Sequence, residues 1–181
     1  MKACWIALAI YWAAAARSAK PSAERQGGLT RSQHLVTLAA AAALLIAPRW
    51  PYPLSLTVIP HGPAAAGGGV ALCLCGLVVA VWARRTLGDN WSSAVTFKQG
   101  HELIVRGPYN YVRHPIYTGL LLMSLGTAVA IGRLHAWIGL LLCVVGFWVK
   151  LRQEEALMVR QFPDRYPAYR RRVKALIPFM L

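Results

Sequence analysis

The residue types able to do chemistry gather in two segments of this sequence. The first, WSSAVTFKQGHELIVRGPYNYVRHPIYTG, runs from Trp91 to Gly119, and the second, KLRQEEALMVRQFPDRYPAYRRRVKALIPF, from Lys150 to Phe179. The first spans about thirty residues between apolar runs, more than a connection needs, and long ordered loops are usually functional. Within it, Gly107-Pro108 marks a turn. Pro115 suits a first helical position, so the unpaired N–H groups of a new helix would face outward, where an anionic group could sit. His114 stands at that helix mouth and is biased toward extended backbone by the proline that follows. Taken singly, His114 reads as a solvated or capping histidine and Arg113 as an anchor for lipid phosphate. Together, RHPIY is more specific than any of its members.

In the second segment Lys150 and Glu154 lie one helical turn apart, by default a surface ion pair. Glu154 and Glu155 are harder to dismiss. Carboxylates at the rim of an apolar helix are costly unless they face a cavity or a partner, which makes the pair a candidate functional group. Other chemistries lack their residues. No glycine-rich phosphate loop follows a strand, so neither a P-loop nor a Rossmann fingerprint is available, and no Ser-His-Asp or Cys-His arrangement is evident. His34, His61, His101, His114 and His135 are scattered and no metal-type spacing occurs, so no metal is expected. Cys4, Cys73, Cys75 and Cys143 all lie inside apolar runs and read as buried structural thiols.

The elements that position these segments are membrane helices. Of 181 residues 57% are apolar and 14% charged, with mean hydropathy +0.44, against about 25% charged in soluble domains. Apolar runs predict five spans at about 3–16, 32–47, 67–83, 115–131 and 136–148, the last continuing as a helix to about Phe162. The expected fold is therefore an all-α integral membrane protein with about five transmembrane helices, a cytoplasmic loop and a C-terminal amphipathic helix. Residues 1–90 would hold three N-terminal spans, and residues 91–181 the other two spans with both chemistry-bearing segments. The first run also has the form of a cleaved signal peptide, although Tyr11 and Trp12 suit a cleavage site poorly.

Charge sets the orientation. Putting the segments 17–31, 84–113 and 150–174 on one side places 17 of the 20 basic residues there, which makes that side cytoplasmic and the N-terminus external. The net charge of +14 therefore reads as topology and contact with membrane lipids. It does not read as nucleic-acid binding, because the basic residues flank apolar runs and form no separate patch. Gly119 and Gly126 in the fourth span, and Gly139 and Gly146 in the fifth, predict close backbone approach within a hairpin of those two spans. Pro163 ends the fifth helix. Asp164 is placed to cap the basic, aromatic tail with Tyr166, Tyr169 and Arg170 to Arg172, expected to lie along anionic headgroups.

GHELIVRGPYNYVRHPIYTG, followed some forty residues on by EEALMVRQFPDRYPAYRRRV and a terminal IPF, resembles the isoprenylcysteine carboxyl methyltransferase family. The phospholipid N-methyltransferases share a looser form of the pattern. The resemblance covers about Trp91 to Phe179 and rests on both motifs in order. It implies an integral membrane enzyme that uses S-adenosyl-L-methionine and releases S-adenosyl-L-homocysteine. Carried over residue by residue, the cofactor contacts are His101, Glu102, Leu103, Ile104, Tyr109, His114, Pro115, Ile116, Tyr117 and Glu154. Lys150, where prenyl-protein enzymes carry a basic residue that meets the substrate carboxylate, falls on the acceptor together with Arg113. Here a point charge replaces a planar fork. His114 and Glu155 are the catalytic candidates, as bases if the acceptor is an amine; a carboxylate acceptor needs none.

The expected reaction is methylation of a carboxylate on an amphiphilic, membrane-partitioned acceptor. The alternatives are N- or O-methylation of a phospholipid or other amphiphile and, in another class, a non-catalytic scaffold or small transporter. The alanine-rich composition points to a bacterial inner membrane, with the active site on the cytoplasmic face and no obligate protein partner evident.

Overall fold

The computed structural model describes residues 1–16, 28–47, 49–88 and 103–178. Its regular elements are helices α1 (Lys2–Ala16), α2 (Gly28–Ile46), α3 (Pro63–Leu87), α4 (Pro115–Ile131), α5 (Leu134–Gln161) and α6 (Arg165–Arg172), with a short 3-10 turn at Gly107–Asn110 before α4. No strand occurs among the described residues. Five of the helices are apolar. Of these, α3 and α5 are long and apolar enough by themselves to cross a bilayer, whereas α1, α2 and α4 contribute shorter apolar stretches at Lys2–Ala15, Ser32–Ile46 and Pro115–Ile131. Large apolar side chains stay exposed around the bundle, among them Ile10, Val36, Val78 and Leu141, each at 60% or more. Such a surface suits lipid, in which every backbone polar group must be satisfied within its own helix.

Boundaries follow local chemistry. Pro63 and Pro115 each occupy the first turn of their helix, where the missing N–H costs nothing. Gly132 ends α4 in the left-handed region at φ 66°, a conformation that glycine adopts without a Cβ clash. Its carbonyl accepts N–H bonds from Val58 and Ile59 at 2.7 and 3.0 Å, which ties the α2–α3 connection to the α4–α5 turn. Pro163 lies just beyond the end of α5, as expected. Asp164 precedes α6 without a side-chain capping bond.

The glycine faces pair differently from the sequence expectation. Gly119 and Gly126 of α4 pack on Gly76 and Gly69 of α3, while Gly139 and Gly146 of α5 pack on α2. The physical reason is reciprocity: two helices approach most closely where both lack side chains, and α3 offers a matching pair with the same seven-residue spacing. A Cβ placed on Gly119 would lie 2.6 Å from the Gly76 carbonyl oxygen, and one on Gly69 would lie 2.5 Å from that of Gly126. α3 and α4 therefore meet backbone to backbone. Ser124 and Thr127, both buried in α4, satisfy their hydroxyls on the carbonyls of Leu120 and Met123 one turn back, at 2.9 and 2.8 Å.

The first helix docks through two polar anchors. Trp5 Nε1 donates to Thr127 Oγ1 at 3.0 Å, and Arg84, 2% exposed, donates to the carbonyls of Ala15 and Gly88, both at 2.7 Å. A guanidinium so placed satisfies the last carbonyls of two helices and complements their negative ends.

Candidate active site

The site lies at the end of the bundle where α4 begins and α5 continues past its apolar stretch. Arg106 to His114 reach it by the 3-10 turn, whose Gly107 packs on Thr86 and Trp82 near the end of α3. The backbone of Val112 bridges in parallel with Lys174, the Arg113 N–H donates to the Lys174 carbonyl at 2.8 Å, and the His114 N–H donates to that of Ala175 at 3.0 Å. Thr118 Oγ1 adds a bond of 2.7 Å to the Leu176 carbonyl. The segment after α6 thus straps down the entrance to α4.

From that base a row of rings crosses the bundle. His114 stacks on Tyr117 with centroids 5.6 Å apart and planes 7° from parallel, and Tyr117 stacks on Phe147 of α5 at 5.0 Å and 13°. Lys150 Nζ stands 5.7 Å from the Tyr117 ring centroid. The Tyr117 hydroxyl donates to Glu154 Oε1 at 2.6 Å, and the same oxygen lies 3.9 Å from Lys150 Nζ.

The two glutamates have different surroundings. Glu155 is enclosed: Arg113 Nη2 and Nε approach its Oε1 at 2.6 and 2.7 Å, and Arg170 of α6 lies 3.4 Å from Oε2. Arg113 Nη1 also donates to the carbonyls of Val173 and Arg170. Glu154 keeps a quarter of its side chain exposed, against 6% for Glu155. His114 sits between them, with Nδ1 3.6 Å from Glu154 and Nε2 3.4 Å from Glu155. The approach to Glu155 lacks hydrogen-bond geometry, so Nε2 is buried with no hydrogen-bond partner among the described residues.

Burial alone would lower the pKa of His114, but the two carboxylates outweigh it and raise the value above the ordinary 6.5. A raised histidine pKa contributes stability that is complete below 6.5 and is lost as pH climbs through the folded-state value. We expect the melting-temperature advantage of wild type over His114→Gln, measured in detergent by scanning fluorimetry, to be larger at about pH 6 than at about pH 9. An advantage that grows with pH would contradict the raised value.

A family model for the isoprenylcysteine carboxyl methyltransferases matches residues 69–160, half of the chain. The chain belongs to the isoprenylcysteine carboxyl methyltransferase family. Among curated relatives, it is 34% identical over 99 residues to a Schizosaccharomyces pombe protein named protein-S-isoprenylcysteine O-methyltransferase, covering 51% of this chain and 41% of that one. A probable protein-S-isoprenylcysteine O-methyltransferase of Oryza sativa is 29% identical over 115 residues, covering 62% of this chain and 60% of the other. The chain therefore spans about half the length of these relatives. A solved structure, described as the eukaryotic intramembrane Ras methyltransferase of this family, superposes with TM-score 0.60 at 24% identity, over 84% of this chain and 52% of that one. The shared fold is that of an integral membrane protein.

Of the family-implied residues, the fold brings His114, Tyr117, Lys150 and Glu154 into one cluster. Pro115 is fully buried beneath it and Ile116 packs against the apolar core of α2, α4 and α5. Leu103 and Tyr109 lie to one side: Leu103 packs with Tyr166, Tyr169 and Val173, and the Tyr109 carbonyl accepts from the Tyr169 hydroxyl at 2.6 Å. Ile104 is half-buried beside Leu103. His101 and Glu102 fall outside the described residues. Tyr166 and Tyr169 are buried, at 3% and 5% exposure, where the sequence placed their rings among headgroups. The reason is that α6 packs its tyrosine face under the residues leading to His114, leaving Arg170 to Arg172 outward. Phe147 and Arg170 were missed by sequence reasoning. Phe147 was legible as a residue one helical turn before Lys150 on the same face; the pairing of Arg170 with Glu155 across the Pro163 break had no local signal.

Proposed function

We propose that this chain transfers a methyl group from S-adenosyl-L-methionine to the carboxylate of a membrane-partitioned amphiphile, as the names of its relatives suggest. The observation that carries this reading is Glu154: a carboxylate still partly accessible at the end of the His114–Tyr117–Phe147 ring row, inside a membrane bundle. A cationic donor fits that donor set. Ring faces attract a cation by about 0.5 to 2 kcal/mol, and a carboxylate can accept from an ammonium or from ribose hydroxyls. When bound, the sulfonium supplies an activated methyl group.

The residues' own tasks then follow. Glu154 binds the cationic or hydroxyl groups of the donor and is aimed by the Tyr117 hydroxyl. His114, whose pKa the two glutamates raise, favours the charge that keeps them compatible. Arg113 and Glu155 hold the strap to α5 and so position the entrance to α4; on this reading neither touches the acceptor nor moves a proton. Lys150 meets the acceptor carboxylate. In-line alignment of two bound reactants is the main contribution required, because a carboxylate needs no base. An amine acceptor suits this arrangement less well. Lys150 would repel an ammonium, and the base candidate Glu155 is committed to Arg113.

In this reading residues 91–181 carry the chemistry, residues 1–90 supply the supporting spans, and the active site faces the cytoplasm of a bacterial cell with membrane lipid around the bundle. The test is purified protein incubated with donor bearing a deuterated methyl group and N-acetyl-S-farnesyl-cysteine, the product read by mass spectrometry. A labelled methyl ester is expected. Wild type that is folded, binds no donor and forms no labelled product would overturn the proposal. We further expect Lys150→Ala to raise the acceptor KM by about tenfold or more while leaving donor affinity within about threefold, the size of one charge-assisted contact. Equal loss of both would reject the acceptor role.

A further inference from the structure

The helix opposite Lys150 carries a histidine that the site as described does not use. Along α5, Gly139 faces Ala41, Leu44 and Leu45 of α2, and Gly146, seven residues on, faces Thr37 and Leu38. The helices therefore run antiparallel in close register. One further turn takes α5 from Gly146 to Lys150 and α2 from Leu38 to His34. That register sets His34 at the level of Lys150 and Glu154, within electrostatic reach of both charges. Its Nε2 is enclosed by protein and has no hydrogen-bond partner among the described residues. An ionisable ring within a short apolar helix is costly to keep, and such residues mark ligand paths in membrane proteins.

The surroundings indicate what would meet it. Leu35 and Val36 beside His34 are 57% and 67% exposed, and Val145 and Val149 on the facing stretch of α5 are 49% and 50% exposed. One polar pair thus sits at the edge of a lipid-facing apolar strip. We propose that His34 and Lys150 together form the head-group subsite for the acceptor, a single-chain amphiphile whose carboxylate lodges between them while its tail lies along the α2–α5 seam. His34 supplies an N–H donor and Lys150 the charge. The inference rests on the carboxylate-methylating reading and names the second wall of its acceptor site, along with the seam by which the acceptor enters.

Binding separates this subsite from catalysis. Detergent-solubilised protein would be titrated with N-acetyl-S-farnesyl-cysteine and with its carboxamide, which differs only at the head group, and separately with S-adenosylmethionine. Wild type should prefer the acid by about tenfold or more. His34→Leu should reduce that preference to about threefold or less, His34→Gln, which retains an N–H donor, should keep most of it, and donor affinity should be unchanged in both. His34→Phe keeps the ring volume and serves if the leucine variant does not fold. The proposal is overturned by wild type that binds acid and amide equally, by an unchanged preference in the apolar variants, or by parallel loss of acid, amide and donor binding. Failure of wild type to bind S-adenosylmethionine would strike the methyltransferase reading instead, and the acid-over-amide preference would still decide the role of His34.

Discussion

Replacing Glu154 by Gln should weaken S-adenosylmethionine binding by about 30-fold or more while leaving the protein folded; replacing Glu155 by Gln should do the reverse. The two side chains are neighbours of identical chemistry, so the contrast isolates environment. Glu154 is a quarter exposed and its contacts are the Tyr117 hydroxyl, Lys150 and the longer approach to His114. A glutamine retains an oxygen for Tyr117 but lacks the charge that a cationic donor would meet, and a hydrogen bond to a charged group is worth about 1.5–3 kcal/mol. About 2 kcal/mol corresponds to about 30-fold in a dissociation constant.

Glu155 is 6% exposed and faces Arg113, Arg170 and His114. Removing its charge leaves the buried Arg113 guanidinium unbalanced, which typically costs about 3–5 kcal/mol, and loosens the strap that carries the His114 backbone. Calorimetric titration of both variants, beside thermal unfolding in the same detergent, decides the matter. A stable Glu155→Gln protein with selectively lost donor affinity, or a Glu154→Gln protein that binds normally, would reverse the assignment of roles.

The sequence made the site legible in proportion to how local its geometry is. Pro115 announced the start of α4, and with it the position of His114; Lys150, Glu154 and Glu155 shared one helix whose charge onset was visible. The pairing of Arg113 with Glu155 was not legible, because both are charged residues near a membrane surface and either could equally have met solvent, lipid or ligand. The same limit applied to Tyr166 and Tyr169. A basic, aromatic octamer suits headgroups as well as it suits packing under a loop, and it is the packing of both rings with Leu103 and Val173, with the bond from Tyr169 to the Tyr109 carbonyl, that decides between them. For the bundle, five apolar helices followed from hydropathy, yet their neighbours did not. The glycines of α4 and α5 are each spaced by seven, so spacing alone could not tell a mutual interface from two separate ones. Gly69 and Gly76, with the same spacing on α3, were the complementary signal.

That arrangement makes a large stability effect a matter of one carbon atom. Gly119→Ala would set its Cβ 2.6 Å from the Gly76 carbonyl oxygen and 2.7 Å from the Ala80 nitrogen. Both obstacles are backbone, so no side-chain rotation relieves the overlap and α3 and α4 must separate along their length. Overpacking costs about 1–3 kcal/mol and occasionally more; here the upper end is expected, since α4 carries His114 and Tyr117 at one end and the Gly132 turn at the other. Gly146→Ala is the internal control. Its Cβ would meet Thr37 Cγ2 at 3.4 Å and Leu38 Cδ2 at 3.8 Å, ordinary contacts, and alanine in place of glycine favours a helix by about 1 kcal/mol. Thermal unfolding of the two variants should therefore move in opposite directions from wild type, Gly119→Ala sharply down and Gly146→Ala level or slightly up. Comparable losses at both positions would mean that α5 lies against its neighbour as tightly as α4 does, and the α3–α4 glycine contact would lose its place as the seam on which the site is built.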